Sequence, residues 1–170
     1  GYGSSTVLMA EAFPNSEFVG IDIHGPSIEQ AREQAAAAGI SNATFHVGTA
    51  QDFEGEGFDF ACIFDALHDM GDPVGAARQI RDAIAEDGTF MLVEPMAGDN
   101  LSDNLHPFGQ IYYGFSAVMC TPNSLSQEVA LGLGAQAGQK RLTEVLSDAG
   151  WGTVRRAAET PTNMVLEVTA

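Results

Sequence analysis

Basic residues are scarce in this sequence: seven lysines and arginines stand against 23 aspartates and glutamates, which gives a net charge of −16 over 170 residues. A surface this acidic repels phosphate groups, so we expect this domain to bind neither nucleic acid nor an anionic membrane. Runs of about 18 consecutive apolar residues are absent, which excludes a transmembrane helix. The two cysteines, Cys62 and Cys120, show no metal-ligand spacing. These absences favour a cytoplasmic protein of one domain.

A third glycine is also missing near the start of the chain. Gly1-Tyr2-Gly3 precedes a helical segment, but Thr6 stands where the dinucleotide fingerprint G-x-G-x-x-G has its last glycine beside a pyrophosphate. An apolar strand then ends in Asp22, about 20 residues after the glycines, where a carboxylate can accept hydrogen bonds from ribose hydroxyls. The segment from Gly1 to Asp22 therefore predicts half of a nucleotide pocket for a ligand without a pyrophosphate.

Strands and helices alternate along most of the chain, which predicts an α/β fold with a parallel sheet and right-handed crossovers. The predicted strands cover residues 18–22, 43–47, 58–64, 89–93, 151–157 and 163–168. The predicted helices cover residues 6–12, 27–38, 73–87 and 139–149. Ser27 and Gln30 have the spacing of a capping box at the start of the second helix. The last helix is followed by two strands, which favours an antiparallel final pair.

Residues 96–138 interrupt this alternation. Their apolar side chains recur at helical spacing and predict an amphipathic helix through Phe108, Ile111, Tyr112, Phe115 and Met119. An insertion after a strand that carries catalytic residues can cover a substrate pocket, and we expect that role here. A helix that simply packs on the core gives the same pattern, so both interpretations remain open.

The glycine turn and the acidic strand end resemble the class I methyltransferases that use S-adenosyl-L-methionine (SAM), a nucleoside without a pyrophosphate. The resemblance implies a Rossmann-like, mostly parallel sheet with an antiparallel last strand and a helical insertion after the fifth strand. The first strand of that fold would precede the glycine turn, so residues 1–170 are expected to be an N-terminally truncated SAM-dependent methyltransferase domain. By the same resemblance, the cofactor would be held by Gly1, Gly3, Asp22, Ile23, Ala50, Gln51 and Asp65.

The stretch Leu67-His68-Asp69-Met70-Gly71-Asp72 resembles the L-H-D-W-S-D motif of small-molecule O-methyltransferases, with methionine in place of the usual tryptophan. In those enzymes the histidine is the general base that removes the proton of the acceptor hydroxyl. An unperturbed imidazole titrates near pH 6.5 and can accept a proton at neutral pH. The resemblance further implies that an acid after the next strand, here Glu94, holds the histidine. Both residues also have purely structural interpretations, His68 as a helix cap and Glu94 as an ordinary strand end.

Several alternatives stay open at this point. Catechol-type O-methyltransferases hold Mg²⁺ with acids after these strands, and Asp99-Asn100 with Asp65 or Asp69 could form such a set, although we expect no metal. A SAM-binding module without catalysis, within a larger DNA-binding regulator, is a second alternative. An NAD-dependent oxidoreductase is a third, disfavoured by Thr6. We expect a small-molecule acceptor, and a homodimer through the missing N-terminal region is compatible with the sequence.

Overall fold

The computed structural model describes all residues from Gly1 to Ala170, which divide into two compact units, Gly1–Phe53 and Glu54–Ala170. None of the helices is long and apolar enough to cross a membrane. Each unit contains parallel strands with helices in the connections, as the alternation in the sequence predicts.

The first unit is built on a two-stranded parallel sheet. Helix α1 (Ser4–Ala12) leads into strand β1 (Phe18–Asp22), and helix α2 (Gly25–Ala37) crosses over to strand β2 (Ala43–Val47). The strands pair in register from Phe18 opposite Ala43 to Asp22 opposite Val47. The small core of this unit consists of Ile28, Ala31, Ala35 and Phe45. Both strands therefore end at the same edge of the sheet, where Asp22 lies.

The start of helix α2 differs from the predicted capping box. The helix begins at Gly25, with His24 as the N-cap residue and Pro26 in the first turn, so Ser27 already lies within the helix. Proline fixes a helical φ angle and needs no hydrogen-bond donor in the first turn, which favours the earlier start. The Ser27 hydroxyl lies 2.8 Å from Nδ1 of His24. The predicted end is confirmed, because Gly39 takes a left-handed φ of 70° just after the helix.

The second unit contains a four-stranded mixed sheet in the order β3-β4-β6-β5. Its strands are β3 (Phe58–Phe64), β4 (Ile84–Pro95), β5 (Thr153–Glu159) and β6 (Asn163–Thr169). Strands β3 and β4 are parallel, whereas β6 runs antiparallel to both β4 and β5, which confirms the predicted closing pair. The side chains that fill the centre of this sheet are fully buried: Phe90, Leu92, Met164, Leu166 and Val168.

Helices α3 (Pro73–Ala83) and α6 (Gly138–Asp148) belong to the same unit. Asp72 caps α3 by accepting a 2.8 Å hydrogen bond from the backbone of Gly75, as its position before a proline predicts. The predicted end of this helix at residue 87 is wrong. Ile84 is buried and pairs with Phe58 as the first residue of β4, so sheet pairing overrides the helical spacing of the sequence at that point.

The insertion at residues 96–138 is largely helical, as predicted. It contains a 3₁₀ turn (Leu101–Asn104), helix α4 (Pro107–Phe115), a π-helical turn (Ser116–Cys120) and the short helix α5 (Thr121–Leu125). The apolar side chains predicted to form one face of a helix are mostly exposed, by 51% at Phe108 and 60% at Met119, whereas Tyr112 is half-buried and donates to the carbonyl of Thr162. This face therefore does not pack on the core of the unit.

Candidate active site

The glycine turn of the first unit is held in place by both conformation and packing. Gly3 is the N-cap residue of α1 and has a left-handed φ of 77°. A Cβ atom at this position would lie 2.7 Å from Cβ of Ala31 and 2.8 Å from the ring of Phe45. A side chain has no room there, so glycine is required at Gly3 by the fold of the unit as well as by the proposed approach of a ligand.

The missing third glycine of the dinucleotide fingerprint is compensated on the facing strand. Gly20 lies in the middle of β1, and a Cβ atom built on it would be 3.4 Å from the hydroxyl of Thr6 and 2.7 Å from the Phe45 ring. Helix α1 can thus approach the strand closely because the strand, rather than the helix, lacks a side chain. Thr6 is therefore compatible with close helix packing at this turn.

Asp22 ends strand β1 and is the acid that the sequence assigns to ribose recognition. Its carboxylate accepts a 2.8 Å hydrogen bond from the backbone nitrogen of His24. An ionised carboxylate offers about four acceptor positions, so further hydrogen bonds to this group can form. The Asp22 side chain is 24% exposed, and Ile23 beside it is 71% exposed.

The turn after β2 carries the two residues assigned to adenine. Ala50 and Gln51 lie at its tip, between Thr49 and Asp52, which form an isolated bridge. The backbone of Gly48 donates a 3.1 Å hydrogen bond to the carbonyl of Asp22 and so fixes the start of this turn next to the end of β1. All the predicted cofactor residues except Asp65 thus belong to the first unit.

Asp65 follows β3 in the second unit and has a left-handed φ of 47°, which is uncommon for a residue with a side chain. Its backbone nitrogen donates to the carbonyl of Val93, and its carboxylate accepts 2.8 and 3.0 Å hydrogen bonds from the side-chain amide of Asn163. Sequence reasoning missed Asn163, since nothing but the pairing of β4 with β6 brings it to this strand end. Asp65 is therefore fixed in place by its backbone and by Asn163.

His68 and Glu94 form a buried pair at the ends of the parallel strands β3 and β4. His68 lies in a 3₁₀ turn (Leu67–Asp69), and Nδ1 of its ring is 2.6 Å from Oε2 of Glu94. The other carboxylate oxygen accepts a 3.0 Å hydrogen bond from the backbone of Leu67. His68 is only 4% exposed and Glu94 only 1%. The structure thus brings together the two residues that the sequence assigns to catalysis.

The partner of Nδ1 determines how the imidazole is used. Nδ1 carries the proton that is donated to Glu94, so Nε2 of the neutral ring has a free lone pair. Burial alone would lower the pKa of His68, but the hydrogen bond and charge of Glu94 outweigh burial and raise it above 6.5, with smaller contributions from Asp69 and Asp65. Burial raises the pKa of the Glu94 carboxyl, against the opposing effect of its hydrogen bond with His68.

Two further side chains lie beside the imidazole of His68. Oδ1 of Asp69 is 3.4 Å from Nε2 of this ring, and the three ligand atoms of His68, Asp69 and Cys120 all lie within 4.8 Å of one another. Burial and the neighbouring Asp69 raise the pKa of the Cys120 thiol to about 11. Cys120 comes from the end of the π-helical turn, more than 50 residues along the chain, and the sequence gives no signal for this contact.

Helix α5 and the residues after it hold the loop that follows His68. The side-chain amides of Asn123 and Gln127 both donate to the carbonyl of Asp69, and the Ser124 hydroxyl donates to the carbonyl of Met70 over 2.7 Å. Gln127 also accepts a 2.9 Å hydrogen bond from the backbone of Gly71. These contacts make the insertion part of the support of the His68 loop, which sequence reasoning did not foresee.

Asp99 and Asn100, the residues of the magnesium alternative, have structural partners. Oδ1 of Asp99 accepts a 2.8 Å hydrogen bond from the backbone of Lys140 in the first turn of α6. Asn100 caps the 3₁₀ turn at Leu101–Asn104 and forms a capping box with Asp103. Both side chains stabilise helix starts, which accounts for their presence without a metal role.

Comparison with known proteins gives a consistent assignment. A family model described as a methyltransferase domain matches residues 1–150. The uncharacterized methyltransferase YcgJ of Bacillus subtilis (strain 168) is 28% identical over 102 residues, covering 59% of this chain and 40% of its own length.

Two solved O-methyltransferase structures also resemble the chain. NcsB1, from neocarzinostatin biosynthesis, was solved with S-adenosyl-L-homocysteine and 1,4-dihydroxy-2-naphthoic acid; it is 23% identical with a TM-score of 0.75, covering 100% of this chain and 47% of its own. An O-methyltransferase family protein from Burkholderia thailandensis is 17% identical with a TM-score of 0.76, covering 100% of this chain and 48% of its own. These similarities confirm the predicted class I methyltransferase fold, and the chain spans about half the length of these structures.

Proposed function

Because this chain belongs to the methyltransferase-domain family, whose methyl donor is SAM, we propose that it transfers a methyl group from SAM to a hydroxyl oxygen of a small molecule, with His68 as general base. Membership of this family supports the predicted enzyme class and cofactor. It argues against the NAD-dependent alternative. The acceptor and the roles of individual residues form the proposal.

The observation that carries the proposal is the buried contact between His68 and Glu94. With Nδ1–H donated to Glu94 over 2.6 Å, Nε2 is the ring atom that can accept a proton. In the proposed reaction, the acceptor oxygen attacks the methyl carbon, the carbon–sulfur bond of the sulfonium breaks, and the hydroxyl proton moves to Nε2. Glu94 then faces an imidazolium and stabilises it, as an acid behind a catalytic histidine does. The leaving group is a neutral thioether that needs no proton, so alignment and one base are sufficient.

The charges around His68 support the same role. Glu94, Asp69 and Asp65 all favour the protonated imidazole, and together they raise the pKa of His68 despite its burial. The imidazolium formed during methyl transfer is therefore stabilised by groups already in place. Since only the neutral ring accepts a proton, the same raised pKa means that the base is available toward the alkaline side of pH 6.5.

The first unit is proposed to bind the nucleoside part of SAM. The left-handed turn at Gly3 leaves backbone without a side chain near the end of β1, and Asp22 has acceptor positions left for ribose hydroxyls. We assign Gly1 and Ile23 to the same site, and adenine to the turn whose tip is Ala50 and Gln51. The assignment of Asp65 to the amino group of the methionine moiety stays a prediction.

A small-molecule acceptor fits two features of the chain. The insertion lines an open cavity of about 530 Å³, within the usual size range of ligand pockets. Its lining is mixed, with aromatic Tyr113, apolar Leu125 and Leu133, and polar Ser116, Thr121 and Gln136 among others. The loop that completes the lining is tied to the base, because the backbone of Gly134 donates to the carbonyl of His68 over 3.3 Å. We therefore propose that residues 96–138 cover the acceptor. The net charge of −16 disfavours a nucleic acid as the acceptor.

The test begins with SAM binding to the complete protein by calorimetry, followed by transfer of a labelled methyl group to hydroxylated aromatic probes such as 1,4-dihydroxy-2-naphthoic acid. We expect SAM to bind and the label to appear on a hydroxyl oxygen of at least one probe, located by NMR. Binding of SAM without transfer to any hydroxyl would favour the non-catalytic binding module. Transfer to a nitrogen or carbon atom would contradict the O-methyltransferase assignment.

A further inference from the structure

Three chemically different metal ligands meet at one point beside the proposed base. One ligand atom from each of His68, Asp69 and Cys120 lies within 4.8 Å of the other two, and Nε2 of His68 is 3.4 Å from Oδ1 of Asp69. Nitrogen, carboxylate oxygen and thiolate sulfur are the ligands that bind Zn²⁺ at about 2.0 to 2.3 Å. Three atoms at most 4.8 Å apart can all reach a central ion after shifts below about 1 Å. Asp69 and Cys120 are both partly exposed, so small shifts of their side chains are feasible.

Oδ1 of Asp69 is the acidic ligand atom of this group. It is buried and faces the imidazole nitrogen of His68, and the Asp69 carboxylate also interacts with the Cys120 thiol. Glu94 and Asp65 add negative charge around the same imidazole. A cation bound among these groups would take the place of the thiol proton as a partner of the Asp69 carboxylate.

The outer contacts are also those of a metal-binding histidine. A ligating imidazole usually donates its second ring N–H to a carboxylate, which fixes the ring and strengthens it as a ligand. His68 already makes this contact through Nδ1 with Glu94. A thiolate together with an imidazole selects a soft transition metal such as Zn²⁺ over Mg²⁺. We propose that His68, Asp69 and Cys120 form a Zn²⁺ site whose occupation blocks methyl transfer.

The inhibition follows from the atom that the metal would use. In the proposed function, the lone pair of Nε2 takes the proton of the substrate hydroxyl, so metal binding and base catalysis exclude each other. The predicted inhibition therefore rests on the proposed function, whereas the binding of the metal does not depend on it. The Cys120 thiol must lose its proton to the solvent when the ion binds.

Cobalt provides a direct test of binding, because Co²⁺ occupies zinc sites and a thiolate ligand adds a charge-transfer band in the near ultraviolet. Co²⁺ is titrated into the complete parent protein and into two variants, Cys120→Ser and Cys62→Ser. Cys62→Ser is the control, because it removes the other cysteine, which lies in strand β3. We expect one Co²⁺ per chain with this band in the parent and in Cys62→Ser, its loss in Cys120→Ser, and its displacement by Zn²⁺. A parent without the band, or a band that persists in Cys120→Ser, would overturn the proposal.

Circular dichroism checks that Cys120→Ser is folded. Asp69→Asn serves as a second variant, in which the band should remain but Co²⁺ affinity should fall by roughly 10- to 100-fold or more, since even outer-shell partners have effects of that size. If affinity in Asp69→Asn equals that of the parent, Asp69 is not a ligand.

Activity then separates this proposal from the proposed function. Zn²⁺ inhibition is measured for each variant relative to its own metal-free rate, and the inhibitory concentration should rise by more than about 100-fold in Cys120→Ser but not in Cys62→Ser. A parent that binds Co²⁺ but transfers no methyl group would leave the metal site standing and remove the catalytic assignment. A parent that transfers methyl groups but binds no Co²⁺ would remove the metal site and leave the catalytic assignment standing.

Discussion

Replacing Glu94 with glutamine changes one atom of a buried carboxylate and tests how the pair with His68 works. The two carboxylate oxygens accept from two different donors, Nδ1 of His68 and the backbone of Leu67. A glutamine has only one oxygen, so one of these donors must face an NH₂ group instead. If the imidazole turns its proton to Nε2 to accept from that NH₂ group, the base is no longer available.

The expected decrease in kcat follows from the loss of the catalytic base. A wrong tautomer in a comparable acid–histidine pair reduces turnover by about 10⁴, and a positioned general base is worth about 10² to 10⁴. We therefore expect kcat to fall by about 10²- to 10⁴-fold in Glu94→Gln, or about 2.7 to 5.4 kcal/mol in activation free energy. SAM affinity should stay within a few-fold, because Glu94 contacts the base and not the nucleoside. Residual activity should also titrate at lower pH, since burial lowers the pKa of His68 and the hydrogen bond and charge of Glu94, the largest effects that raise it, are then gone.

The assay is the pH dependence of methyl transfer at saturating SAM, with Glu86→Gln as the control because Glu86 is an exposed carboxylate on the same strand. The parent rate should rise with pH through an apparent pKa above 6.5, because the raised pKa of His68 keeps the ring protonated to higher pH. A Glu94→Gln variant with the kcat and pH profile of the parent would refute this reasoning. An equal decrease in kcat in the control Glu86→Gln would also refute it.

Two further changes test the first unit. Asp22→Ala should weaken SAM binding by about 1.5 to 3 kcal/mol, or roughly 10- to 150-fold, because charge-assisted hydrogen bonds are lost. The control Glu17→Ala should bind SAM like the parent. Unchanged affinity in Asp22→Ala, measured by calorimetry, would exclude Asp22 from the site. Gly3→Ala should lower the free energy of unfolding by about 2 to 5 kcal/mol, since both a left-handed φ and a blocked Cβ position oppose it. Gly39→Ala, with a similar φ but open space, should cost only about 1 to 2 kcal/mol. Equal losses in denaturant unfolding of the two variants would show that packing at Gly3 is unimportant.

The sequence is sufficient to predict those parts of the site that depend on local structure or strand order. Asp22 and His68 each follow an apolar run that predicts a strand. The resemblance to O-methyltransferases placed Glu94 beside His68 although 26 residues separate them, and the parallel pairing of β3 with β4 brings the two residues to one edge of the sheet. The fold class follows from the same alternation of elements.

The parts that sequence reasoning missed depend on tertiary contacts between distant segments. Asn163 reaches Asp65 from 98 residues along the chain, because β6 pairs antiparallel with β4. Cys120 and Gln127 approach the His68 loop from the insertion, whose helical spacing predicts a helix but not which residues that helix and the segment after it contact. The end of α3 was misplaced because Ile84 has helical spacing but pairs with Phe58 in the sheet. In each case a long-range contact, and not local propensity, decides the outcome.

The most direct test of the central claim is the rate of methyl transfer in His68→Gln, measured in a single turnover with SAM bound. Glutamine keeps hydrogen-bonding capacity but cannot accept a proton, and His46→Gln is the control because His46 is exposed on β2. The account predicts a rate lower by about 10²- to 10⁴-fold in His68→Gln, SAM affinity within a few-fold of the parent, and no rise of the rate with pH in the range where the parent titrates. A His68→Gln variant that transfers methyl groups at the parent rate would contradict the claim that His68 is the base.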